Sequence, residues 1–128
     1  MPSGIIKLSK DFSFDARQYA VLKSAILGLP NSGKSYTALK IAEELLDNNI
    51  PIVALDPTGI WWGLKAGVDK NKGYNIVVAG GMNADIQLAV LSGKDKVDAA
   101  ATIKNTHDII IAAMKENVSI VFDLYDIY

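Results

Sequence analysis

The chain has 128 residues, half of them hydrophobic and 21% charged, with a formal net charge of −1; this is the length of one domain and the balance of a folded core, not of a disordered chain or a broadly basic nucleic-acid binder. It has no cysteine and one histidine, His107, which excludes disulfides, thiolate metal sites and a histidine-rich zinc centre. No apolar run approaches a membrane span, and the residues from Met1 to Lys7 do not compose a signal peptide, so the expectation is a cytoplasmic protein without a membrane partner.

In chain order, Ile5 to Leu8 reads as a short edge strand. Tyr19 to Leu27 is a richer apolar run that stops at Gly28, and its second half reads as a buried strand. A loop from Gly28 to Lys34 follows, then a helix. Ala38, Ile41, Ala42, Leu45 and Leu46 form its apolar stripe, Lys40, Glu43, Glu44 and Asp47 lie on its other face, and Asn48-Asn49 ends it. Ile50 to Leu55 reads as the next strand, broken by Asp56-Pro57-Thr58-Gly59.

Ile60 to Gly73 reads as a loop or short helix with a turn. Tyr74 to Ala79 is a third strand, closed by Gly80-Gly81, and Asp85 to Leu91 reads as a short helical turn. A long helix is expected from Asp95 to Asn117, with Ala100, Ile103, His107, Ile110, Ile111 and Met114 on one side. Val118 to Tyr125 then forms a buried strand. Strands alternating with helices predict an α/β fold, a mostly parallel sheet flanked by helices.

Gly28-Leu29-Pro30-Asn31-Ser32-Gly33-Lys34-Ser35 fits G-x-x-x-x-G-K-[ST] at every fixed position. By average residue usage, chance gives such a match roughly once in a few hundred chains of this length. The residue types follow from the ligand: a triphosphate needs many donors at close range, and backbone amides in a glycine-bounded loop supply them without crowding. The helix that the loop opens adds its unpaired amides and its dipole. This predicts a P-loop nucleotide site made by Gly28, Pro30, Asn31, Ser32, Gly33, Lys34, Ser35 and Tyr36. Lys34 would reach the β- and γ-phosphates of the nucleotide and act in catalysis, and Ser35 would ligate Mg²⁺, while the loop does not distinguish ATP from GTP.

Other residues carry two readings. Asp56, at the end of a strand, is a candidate Mg²⁺ ligand and catalytic carboxylate, or else a turn aspartate bonded to its own backbone. Trp61-Trp62 could stack on a base or pack on a neighbouring subunit, but burial of at least one under its own loop is the plainer expectation. Lys65, Lys70 and Lys72 are candidates for phosphate contact or for a solvated loop. His107, with no nucleophilic or acidic partner in view, is expected to pack as a structural histidine.

Taken together, Ala20 to Ser35, then Val53-Ala54-Leu55-Asp56-Pro57-Thr58-Gly59-Ile60-Trp61-Trp62-Gly63-Leu64, and later Val77 to Gly81 and Ser119 to Leu124, resemble the HerA/FtsK superfamily of P-loop ATPases, in particular the HerA-like helicase central domain. The resemblance runs from about Asp11 onward. It implies the front half of a longer ATPase domain over residues 1–128, a ring-forming and usually hexameric motor that moves DNA, and ATP with Mg²⁺ as cofactors. In that family the Asp-Glu pair of the Walker B strand comes after the strand matched by Val118 to Leu124. Ser119-Ile120-Val121-Phe122-Asp123 mimics such a strand, but Leu124 stands where the glutamate should be, and Asp123 is expected to end an ordinary strand. Arg17, the single arginine, precedes the P-loop, so a downstream arginine finger is missing.

Two rival functions remain at this stage. A small P-loop kinase would use Asp56 as a base, but it would need an arginine-rich lid that one arginine cannot supply. A nucleotide-dependent interaction module would need no Asp-Glu pair. A last expectation concerns the sheet: with nothing after Val118 to Tyr125 to cover it, and only Asp123 and Asp126 to guard it, one strand edge and an apolar face should be exposed and favour self-association.

Overall fold

Asp15 sets the start of the first helix: its carboxylate accepts a hydrogen bond from the Gln18 amide at 2.7 Å and caps α1, Ala16–Val21. The computed structural model describes residues 2–66 and 73–125; Lys70, Lys72 and Asp126 lie outside the described residues. The chain divides into two compact units, residues 1–52 and 53–128.

In the first unit β1, Ile5–Ser9, pairs antiparallel with β2, Phe12–Asp15, in a hairpin whose register shifts between Lys7 and Ser9. The second helix, α2, spans Lys34–Asp47. It packs on β1, and Ile6, Ala16, Ile41 and Ala42 are the buried apolar residues of this unit. The α2 stripe read from the sequence is the face turned inward. Asn48 and Asn49 end the helix, Asn49 with a φ of 59°.

The expected buried strand before the P-loop is not there. Tyr19 lies in α1, and residues 22–29 belong to no regular element and are exposed. The capping signal at Asp15 draws Tyr19 to Val21 into a helix, and Lys23-Ser24 splits the apolar run that remains.

The second unit is built on a parallel sheet of order β3–β7–β4. β3 is Val53–Asp56, β4 is Ile76–Ala79, and β7, Ser119–Asp123, lies between them with all five residues buried. The three strands form where continuous apolar runs were read: β4 and β7 are two and three residues shorter than expected, and β3 starts three residues later and runs one further, to Asp56. Ile120 and Phe122 face a core shared with Ala79 and Leu88, against which Ile109, Ile110 and Ala113 of α3, Ala99–Glu116, are packed. By strand alternation Val121 faces the other side, as do Ile76 and Val78. A 3₁₀ turn, Trp61–Lys65, touches both β4 and β7, and its Leu64 is buried.

Four expectations need correction in this unit. Residues 85–91 form no helical turn: Ile86 bridges Ala79, and the Asp85 carboxylate accepts from the Val78 amide at 2.9 Å. Residues 95–97 belong to a small hairpin of β5, Leu91–Ser92, and β6, Lys96–Val97; α3 begins only after Asp98, which caps it by accepting from the Ala101 amide. The α3 side carrying Ala100, Ile103, His107, Ile111 and Met114 faces solvent, with Ile103 71% and Met114 70% exposed; of the expected stripe only Ile110 packs on the core. Finally, β7 is the centre of the sheet and presents no edge. The exposed apolar side chains of the sheet are Val53 and Leu55 on β3.

Candidate phosphate loop and the carboxyl edge of the sheet

The P-loop residues are held in a turn by their own backbone. The Ser32 amide donates to the Leu29 carbonyl at 3.2 Å, and the Thr37 amide donates to the Gly33 carbonyl at 3.0 Å as α2 begins. Gly33 has a φ of 92°, in the left-handed region that glycine alone enters freely. Gly28 leaves space for its neighbours' side chains: a Cβ there would lie 2.4 Å from Ser32 Oγ and 3.2 Å from Lys34 Cγ. Asn31 also has a positive φ, 62°, which asparagine tolerates.

The mouth of this loop is open. Residues 28–33, Ser35 and Tyr36 are exposed and Lys34 is half-buried. No side chain caps α2 at Gly33, and no acidic residue occupies its first turn. An uncapped helix start free of carboxylates presents amides and a positive dipole end to an anion. The residues fit a phosphate chain, with Lys34 and Ser35 beside it. Among the described residues no group of three or more His, Asp or Glu could hold a metal ion.

In the second unit the candidate residues gather at the carboxyl ends of the strands. Asp56 is 1% exposed. Its Oδ1 accepts from the Thr58 amide at 2.9 Å and the Thr58 hydroxyl at 2.6 Å, and its Oδ2 accepts from the Trp61 amide at 2.9 Å. Burial, the largest single effect, pushes this carboxyl up, but the Thr58 hydroxyl and the Trp61, Thr58 and Gly59 amides together outweigh it, and the group titrates below the ordinary carboxylate value. The contacts are those of the turn reading.

Asp123 is 5% exposed and accepts from the Tyr125 amide at 3.1 Å. Three glycines crowd it. A Cβ on Gly81 would lie 2.3 Å from Asp123 Oδ2, one on Gly80 2.8 Å from its carbonyl, and one on Gly59 3.5 Å from Oδ1. Gly80-Gly81 thus ends β4, as read, and Gly81 also makes room for the Asp123 carboxylate, which nothing in the sequence signalled.

Neither tryptophan is buried: Trp61 is half-buried and Trp62 is exposed, and the residue that fills the space under the turn is Leu64. Lys65, in the 3₁₀ turn, pairs with Asp85; that ammonium, with the Val78 amide, holds the Asp85 carboxyl low. His107 does not pack. It is exposed, with Nδ1 3.6 Å from Asp108 Oδ1.

The sequence model for "Helicase HerA, central domain" matches residues 10–115. The chain belongs to the HerA helicase central-domain family. The match takes in the hairpin strand β2, the P-loop, Asp56 and most of α3, and the fold is the mixed α/β arrangement expected of part of such a domain. A HerA-like ATPase domain is a nucleotide-binding domain by family. Comparisons with curated proteins and with solved structures return no match. Among the described residues no helix is long and apolar enough to cross a membrane.

Proposed function

We propose that the chain binds ATP with Mg²⁺ through Gly28–Ser35 and is the nucleotide-binding part of a HerA-like, DNA-translocating ATPase. The observation that carries this reading is the phosphate loop itself: a glycine closely approached by the Ser32 and Lys34 side chains, a left-handed glycine, and a helix start without cap or carboxylate. Backbone amides of residues 31–35, with Pro30 shaping the turn, would hold the phosphates, Lys34 would set its charge on the β- and γ-oxygens, and Tyr36 would line the mouth. The metal ion would neutralise phosphate charge, with the Ser35 hydroxyl as its protein ligand.

Asp56 enters the proposal as the group that shapes the turn after β3. Direct coordination would require its oxygens to release Thr58 or Trp61, whereas Ser35 is free to coordinate without such a loss. Ring assembly and DNA contact follow from the family and belong to the assembled motor. A second reading, nucleotide binding without hydrolysis, is favoured by the same Asp56 contacts and by Leu124, which follows Asp123 where a glutamate would complete an acidic pair.

Calorimetry with ATP·Mg²⁺ on the wild-type chain and on Lys34→Ala tests the site. Loss of one charge-assisted contact is expected to cost about 1.5–3 kcal/mol of binding. Equal affinities, or no binding by the wild type, would defeat the assignment.

A further inference from the structure

We propose that the β1–β2 hairpin is a positioning element for the phosphate loop, acting on both of its flanks, with Asn48 as the principal positioning residue and Tyr19 as the second. The inference rests on the nucleotide reading above and adds to it what aims the loop.

The outgoing flank is α2. A helix of 14 residues is about 21 Å long, and its direction fixes where the amides at its start point. Its far end is fastened to β1. Asn48 Oδ1 accepts from the Gly4 amide at 2.6 Å, and Asn48 Nδ2 donates to the Ile5 carbonyl at 3.1 Å and to the Glu44 carbonyl at 2.7 Å. One side chain therefore closes the helix and holds the hairpin strand at once. One turn earlier, Glu44 Oε2 accepts from the Lys7 amide at 3.1 Å, while Oε1 pairs with Lys40 at 3.0 Å. Between these two attachments Ile6 is fully buried, in the strand that packs on α2. Three polar bonds and a buried isoleucine make β1 a brace along the last turns of the helix.

The incoming flank is the exposed segment of residues 22–29, which has no regular structure to hold it. Its anchor among the described residues is Ser24, whose Oγ shares a 2.6 Å hydrogen bond with the Tyr19 hydroxyl. Tyr19 in turn lies against Phe14 of β2, with ring centroids 5.5 Å apart, and Phe14 packs edge-on with Phe12 at 4.7 Å. Ser24 stands four residues before Gly28. The same hairpin thus fixes the loop's entry through β2 and its exit through β1, and the Ala16 amide, bonded to the Gly4 carbonyl at 2.8 Å, ties the two attachments together. A nucleotide that orders the loop must, by reciprocity, tighten the hairpin.

Two measurements on the full chain decide this. The first is ATP·Mg²⁺ affinity of Asn48→Ala and Tyr19→Phe. Each is expected to bind at least about fivefold more weakly, the lower end of ordinary coupling between sites, while its thermal melt stays cooperative. The second is amide hydrogen exchange at Gly4 and Lys7, which ATP·Mg²⁺ is expected to slow in the wild type and leave unchanged in Lys34→Ala. A purely structural brace would not respond to nucleotide in this way. Should Asn48→Ala fail to fold, Tyr19→Phe and the exchange experiment still give the answer. Wild-type affinity in both variants, with exchange at Gly4 and Lys7 indifferent to bound ATP, would overturn the proposal and leave the nucleotide site standing. A wild-type chain that binds no ATP would overturn both.

Discussion

Asp56 and Asp123 stand directly opposite each other at the carboxyl ends of two neighbouring parallel strands, and both are buried. Each carboxylate turns back on the chain that follows it, Asp56 to Thr58 and Trp61, Asp123 to Tyr125. The ladder continues past them, with the Leu124 amide donating to the Asp56 carbonyl at 2.9 Å.

Replacing Asp56 by Ala is expected to destabilise the protein by about 1.5–3 kcal/mol, since buried amide and hydroxyl donors lose a charged acceptor. The pH dependence has a definite sign. The folded carboxyl titrates below its ordinary value of 3.8, so its contribution is present above that value and is lost as pH falls through it toward the folded value. Urea midpoints measured between pH 3 and 7 should fall less steeply on acidification for Asp56→Asn than for the wild type. Some slope remains from Asp85, whose carboxyl Lys65 also holds low.

Gly81 and Gly93 separate steric cost from conformational cost. Both have left-handed φ values, 76° and 65°, but a Cβ on Gly93 meets nothing within 4 Å, while one on Gly81 runs into the Asp123 carboxylate. Gly93→Ala should cost about 1–2 kcal/mol, the ordinary penalty of that backbone region. Gly81→Ala should cost clearly more, and Gly81→Ala combined with Asp123→Ala should recover part of the difference. Equal midpoints in chemical denaturation for the two single variants would contradict the crowding around Asp123.

Ser35→Ala is expected to weaken ATP binding in Mg²⁺ and to change it little in EDTA, because the hydroxyl serves the metal. An equal loss under both conditions would assign it to the phosphate or to the helix start.

The 128-residue chain is expected to bind ATP yet turn it over very slowly. Water positioning contributes roughly 10²–10⁴-fold and an arginine finger roughly 10³–10⁵-fold. Asp56 is engaged with its own loop, Leu124 follows Asp123, and the single arginine, Arg17, lies in α1. Phosphate release at several turnovers per second would refute this.

The phosphate loop was legible because its chemistry forces residue types at fixed spacing. β7 was legible because a strand paired on both edges and covered on both faces needs an unbroken apolar run. The packed face of α3 was not, for a physical reason. It is partly polar, and its polar groups hold a neighbouring loop: Asn105 Nδ2 donates to the Gln87 and Leu88 carbonyls, and the Thr102 hydroxyl accepts from the Val90 amide. An apolar-stripe reading selects the opposite side. The segment before Gly28 misled in another way, since its composition suits a strand but it pairs with none.

The strand order β3–β7–β4 has a kinetic consequence. Neither β3 nor β4 can pair with the other, and each waits for β7, so that Val53 finds its neighbour only when Ile120 has been made. Contacts this distant in sequence close slowly. On the ribosome, residues 53–118 would emerge with two apolar strands unpaired, while the hairpin and α2 of residues 1–52, which pack on each other, could already have folded. The order of synthesis therefore gives the phosphate loop its frame before the sheet exists, and leaves the nascent sheet as the part of this chain most in need of a chaperone.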